Sequence, residues 1–166
     1  MKKIEQSSYA KKAGELFMEG YNCAQSVFLA FVDEYDIDQV TALKLSSSFG
    51  GGMGRLREVC GSVSGMFMAA GCMYGYASPK DYEGKKKHYE RIQQLAEEFR
   101  EINGSIVCRD LLGLSKQQDE PIPSKRTKEY YKKRPCRQLV EIAAAILHGY
   151  MESHPKGESD ENYNID

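Results

Sequence analysis

Apolar positions recur with a helical period along most of the chain, and no alternating, strand-like run is sustained. A first helix is predicted over about 7–19, with Leu16 and Phe17 facing inward and Gly20 closing it. Asn22 and Gln25 have the spacing of a capping box, so a second helix opens at Cys23. It carries Val27, Phe28, Phe31 and Val32 and ends near Tyr35. A third, over about 39–48, holds Val40, Leu43 and Leu45. The run Gly50-Gly51-Gly52-Met53-Gly54 then interrupts the pattern, because glycine gives up too much backbone freedom in a helix.

Val59 to Ala77 contains no charged residue and reads as a central buried helix. Gly61, Gly65 and Ala69 recur every four residues, as do Gly71 and Gly75, a spacing that lets another helix approach closely. Its length would also span a bilayer. Plentiful glycine and few large aliphatics favour the buried-helix reading. Ser78-Pro79-Lys80-Asp81 has the form of a helix start, with serine as N-cap and proline at the first position. The long helix over about 79–102 carries the stripe Ile92, Leu95, Ala96, Phe99 and Ile102, and Asn103-Gly104 stops it. A short helix follows Cys108 as far as Gly113, and residues 115–135 are polar loop or short turns. Pro135 cannot lie deep in a helix, so the last one begins beside Cys136 and runs to about 152 through Leu139, Ile142, Ile146 and Tyr150. The expected fold is all-α: a single-domain bundle of six or seven helices over about 1–157, followed by an acidic, disordered tail over about 158–166.

The chain of 166 residues has a net charge of −1, which gives no global attraction to nucleic acid or anionic lipid. The basic run Lys125 to Arg137, interleaved with Tyr130 and Tyr131, reads as a solvated surface, and no nucleic-acid partner is expected. The start, Met1-Lys2-Lys3-Ile4-Glu5-Gln6, leads into no apolar segment, so a cytoplasmic protein without a membrane span is expected. Structural disulfides are uncommon in that compartment.

Four of the five cysteines, Cys23, Cys60, Cys108 and Cys136, stand at or near predicted helix starts, where free N–H groups and a partial positive charge favour thiolate. Between them lie 36, 47 and 27 residues, and no Cys-x-x-Cys occurs, which excludes zinc ribbons and thioredoxin-type motifs. Arg134, Arg137, Lys132 and Lys133 surround Cys136, and Arg109 adjoins Cys108; cations stabilise thiolate. Cys72, in mid-helix without cap or cation, reads as a small buried hydrophobe. The glycine run lacks a Walker ending and follows no strand. Gly50, Gly51, Gly52 and Gly54 are instead a candidate backbone nest for an anion or for thiolate sulfur near Cys60, with Arg55 and Arg57 supplying charge. His88, His148 and His154 form no catalytic or zinc-binding spacing, and no Ser-His-Asp triad is supported.

The stretch Cys60-Gly61-Ser62-Val63-Ser64-Gly65, with one cysteine upstream and two downstream, resembles the C-GCAxxG-C-C family of small bacterial and archaeal proteins, described as redox-active. The resemblance runs from about Tyr21 to Cys136 and includes Gly20-Tyr21-Asn22-Cys23-Ala24 and the glycine run; Ser62 stands where the motif has alanine. It implies that Cys23, Cys60, Cys108 and Cys136 form one redox site, with Gly61 and the glycine loop beside it and Cys72 outside. Two mechanisms fit. Four thiolates are the usual ligand set of an iron–sulfur cluster, and also suit zinc, for electron transfer or sensing. Alternatively, without metal, a thiolate such as Cys60 attacks a disulfide and a neighbour resolves it. A non-enzymatic metal-binding module with a structural four-cysteine site is a third reading. The metal site is favoured here, because four cysteines exceed the two that a dithiol cycle needs. The implied role is that of an oxidoreductase or electron-transfer protein working with a redox partner protein or a small thiol, and a homo-oligomer is left open.

Overall fold

The computed structural model describes residues 6–115 and 119–155. The acidic tail expected over 158–166 lies outside them. Among the described residues the fold is all-α, with no strand and six helices of seven or more residues. Those six are α1 (Ser8–Glu19), α2 (Cys23–Ala30), α3 (Gln39–Ser47), α5 (Gly61–Tyr74), α6 (Tyr82–Asn103) and α9 (Cys136–Ser153); shorter segments are the single turn α4 (Gly50–Met53), α7 (Cys108–Leu111) and α8 (Lys128–Lys133).

Local chemistry explains most boundaries. The Ser7 side chain accepts from the Ala10 N–H and opens α1. Both halves of the capping box form at α2: Asn22 accepts from the Gln25 N–H at 2.9 Å, and Gln25 accepts from the Asn22 N–H at 3.0 Å. α2 is shorter than its pattern suggests, because Phe31 ends it and a 3₁₀ turn, Val32–Glu34, takes over. α3 buries Ala42 and Ser46, while Val40 and Leu45 face solvent, so it docks through its small residues. α6 begins later than the Ser-Pro signal implies. Asp81, not Ser78, is its N-cap and accepts from the Gly84 N–H at 2.8 Å. Its inward face is Leu95, Ala96 and Phe99, and Ile102 is exposed. The polar region before Pro135 contains one further helical segment, α8, capped by Thr127.

The core lies where α2, α5 and α9 meet, with α1 against α2 and α9. Phe17, Phe28, Phe31, Met66, Phe99 and Leu147 fill it. The crossing of α2 and α5 depends on two missing side chains. A Cβ on Gly65 would lie 2.6 Å from the Ala24 carbonyl oxygen, and one on Gly61 would lie 2.9 Å from the Phe49 carbonyl oxygen and 3.1 Å from the Cys23 Cβ. The second small pair serves no such approach, since nothing lies near a Cβ on Gly71. Cys72 is exposed, not buried as its apolar surroundings suggest. No helix among the described residues is long and apolar enough to cross a membrane.

One further tie positions the site. Val59 and Val107 form an isolated antiparallel bridge, with the Cys60 N–H donating to Ile106 O (2.8 Å) and the Cys108 N–H to Glu58 O (2.7 Å). Two cysteine-bearing segments, distant in sequence, are thereby held side by side.

Candidate functional site

All four cysteines of the motif open helices, and none is in a disulfide. Cys23, Cys108 and Cys136 are the first residues of α2, α7 and α9, and Cys60 is the N-cap of α5. Cys23, Cys108 and Cys136 line a pocket of about 220 Å³. Cys60 lies outside its lining, buried, with its sulfur 3.6 Å from the Ser62 hydroxyl.

Cys23 and Cys136 act as a pair. The Cys23 sulfur is held down to about 6, first by hydrogen bonding from the Cys136 thiol, against the cost of burial. The Gly51 N–H, the Arg126 charge and its own N–H add to that stabilisation. Cys136 is pushed up because it keeps the proton it donates, and burial and the Cys23 charge reinforce this. The two thiols thus behave as one acid that loses its first proton easily and its second with difficulty.

The other two sulfurs remain thiols. Burial, followed by the Cys23 charge, pushes Cys60 up to about 12, and bonds from Ser62 offset this only in part. Burial also raises Cys108, although Arg57 places Nη1 at 3.7 Å from its sulfur. Each of the three therefore feels the charge of Cys23, which makes that residue the electrostatic centre of the group. At Cys60, named above as an example of the attacking thiolate, burial opposes ionisation more than the helix start and the Ser62 bonds favour it.

The glycine loop supplies part of this asymmetry. Gly51 and Gly52 adopt left-handed backbone (φ 67° and 72°), which turns the Gly51 N–H toward the Cys23 sulfur. A Cβ on Gly52 would lie 2.6 Å from that of Cys108. Of the loop expected as a nest near Cys60, the Gly51 N–H bonds the Cys23 sulfur, while the Gly54 N–H is taken by Gly50 O. Gly50 abuts Asn22, and Gly54 closes the turn with φ 62°. Gly61 contributes close packing against Phe49 O and the Cys23 Cβ.

The arginines divide differently from their sequence neighbours. Arg57 is 2% exposed and bonds Asp119 (Nε to Oδ2, 2.9 Å) as well as Cys108. Arg55 bonds Asp119 and Glu120 O. Arg109 is taken by Glu58 at 3.2 Å, and Arg137 by Glu141 at 3.0 Å, so neither serves the cysteine beside it. Sequence reasoning missed Arg126 altogether. Its guanidinium donates to Tyr21 O and stacks over Phe17 and Tyr130, 4.5 and 4.7 Å from their ring centroids. The available signal was the pair of tyrosines inside a basic run that otherwise reads as surface.

A cluster or zinc site needs its sulfurs gathered at one point. Among the described residues, no group of three or more His, Cys, Asp or Glu is placed to hold a metal ion. The donors have the soft chemistry of such a site but not its convergence.

Comparison with known proteins identifies a family. A family model described as "Putative redox-active protein (C_GCAxxG_C_C)" matches residues 21–150. α1 lies before the matched span. Neither a curated protein nor a solved structure matches the chain.

Proposed function

The chain belongs to the C_GCAxxG_C_C family, and on that premise we propose that its redox chemistry is thiol–disulfide exchange through Cys23 and Cys136. The observation that carries the reading is that both cysteines open helices onto one pocket, and bonding from the Cys136 thiol holds Cys23 down to about 6 while Cys136 is pushed up. Nucleophilicity depends on thiolate, and Cys23 is the half-buried member, open to the pocket.

The exchange has two steps. Cys23 thiolate attacks one sulfur of a disulfide, a Cys23–substrate bond forms, and the substrate S–S bond breaks. The departing thiolate takes the proton from Cys136. That first step also removes the thiolate that accepts the Cys136 hydrogen bond, the chief reason Cys136 holds its proton, and with it the Cys23 charge. Cys136 thiolate then attacks the Cys23 sulfur, an internal disulfide forms, and the second substrate thiolate leaves. The protein loses two electrons, and the substrate leaves as one thiol protonated by Cys136 and one thiolate that takes its proton from water. Such a cycle suits a reducing compartment such as the cytoplasm.

The test uses protein purified without oxygen and treated with one equivalent of a small disulfide. Peptide mass spectrometry under non-reducing conditions should find Cys23 joined to Cys136, with three of the five thiols still free. The second reading, a metal or iron–sulfur centre on the four cysteines, draws on the mutual electrostatic influence of their sulfurs. Iron with acid-labile sulfide, or zinc, at about one site per chain would favour it and sink the dithiol cycle.

A further inference from the structure

The pocket beside Cys23 carries an unusual balance of charge. Arg55, Arg57, Arg126 and Arg134 all line it, and among the described residues no acidic side chain does. Asp119, from outside, pairs with Arg55 and Arg57. Cys23 thiolate offsets one more charge. Among the described residues, neither Arg126 nor Arg134 has a carboxylate at salt-bridge distance. Both guanidiniums rest instead over the Tyr130 ring, 4.7 and 4.9 Å from its centroid, which fixes them without neutralising them.

A second observation is independent of the charge count. Arg126 Nη1 is buried and has no hydrogen-bond acceptor among the described residues. Buried donors are almost always satisfied, and a charged one left alone is expensive. An oxygen of an anion in the pocket would supply the acceptor. At about 30 Å³ per water, the volume of about 220 Å³ holds roughly seven waters. That is room for one arm of a small molecule.

We propose that this pocket binds the carboxylate-bearing arm of a small anionic disulfide, with Arg126 and Arg134 holding the carboxylate while its sulfur meets Cys23. The inference rests on the dithiol reading above and adds the substrate class. The chemistry is the exchange already written: the anionic disulfide is the oxidant and leaves as two thiols. Arg126 and Arg134 are substrate-binding residues and take no proton.

The experiment compares three disulfides: dithiodipropionate (anionic), bis(hydroxyethyl) disulfide (neutral) and cystamine (cationic). Their rates with the reduced protein at neutral pH and low salt are each divided by the rate with free mercaptoethanol, which removes intrinsic leaving-group differences. The anionic reagent is expected to lead the neutral one by on the order of tenfold, with the cationic one slowest. In the Arg126→Gln/Arg134→Gln double variant the ratio should fall to near one. Because Arg126 also supports the thiolate, the ratio is the readout, since a change in Cys23 nucleophilicity cancels from it. Arg134→Gln alone guards against misfolding of the double variant and should lower the ratio by about threefold. Equal normalised rates in the unaltered protein would overturn the anion site and leave the dithiol reading standing. Reaction at thiols other than Cys23, or at none, would overturn the dithiol reading and this inference with it.

Discussion

Cys23 and Cys60 open neighbouring helices that almost touch, since a Cβ on Gly61 would lie only 3.1 Å from the Cys23 Cβ. Both stand at a helix N-terminus, and burial opposes ionisation of both. Yet one is held at about 6 and the other is pushed up to about 12. The helix end is common to both and cannot be the cause. Its favourable field is worth about 0.3–1 kcal/mol, less than one pK unit. Dedicated partners make the difference: Cys23 has a thiol and a glycine N–H bonded to it and the Arg126 charge in reach, whereas Cys60 has Ser62 and the repulsion of its neighbour's charge.

Four measurements break or sharpen this contrast. The largest effect is expected from serine substitution. Cys23→Ser should slow reaction with a small disulfide by roughly a hundredfold or more, while Cys60→Ser should change it by no more than a few-fold. Comparable losses in the two, measured by thiol release, would erase the distinction. Next comes Gly61→Val, which pushes the two helix starts apart. It should destabilise the fold by about 2–3 kcal/mol in urea unfolding, and an unchanged midpoint would mean that the close crossing is not tight.

The third is the pH profile of alkylation, followed residue by residue. Below its value of about 6 Cys23 is protonated and unreactive, and above it is thiolate. Its rate should therefore fall about tenfold between about pH 7 and pH 5, whereas Cys60 should remain unmodified across that range. A shared midpoint would show that one environment governs both. The smallest effect is expected from Arg126→Gln. Removing one contributing charge should raise the Cys23 midpoint and lower its alkylation rate near that midpoint by about threefold.

Local signals in the sequence carried the helices and the placement of each cysteine. The Asn22–Gln25 capping box, Pro135 before α9 and the interruption at Gly50 are short-range chemistry, and each appears where its residues indicate. What could not be read depends on tertiary neighbours. Val40, Leu45 and Ile102 have helical apolar spacing, but nothing among the described residues covers them. Arg109 and Arg137 adjoin cysteines in sequence, yet Glu58 and Glu141 take their charge. Arg126 reaches Cys23 only through folding, across the Tyr21 carbonyl and two aromatic rings. The choice of Cys23 over Cys60 was hidden for the same reason: its principal donor is 113 residues away, as the numbering of Cys23 and Cys136 shows.

The bridge between Val59 and Val107 has an architectural consequence for divergence. It makes the whole excursion through α5 and α6 leave from and return to one anchored place. α5 is 14 residues long, so its far end lies about 20 Å from Cys60. The connection over residues 75–81 is thereby insulated from the redox chemistry. Descendants of this gene can lengthen, shorten or decorate that remote elbow while the sulfurs keep their positions, so evolutionary freedom and chemical constraint occupy opposite ends of one hairpin of helices.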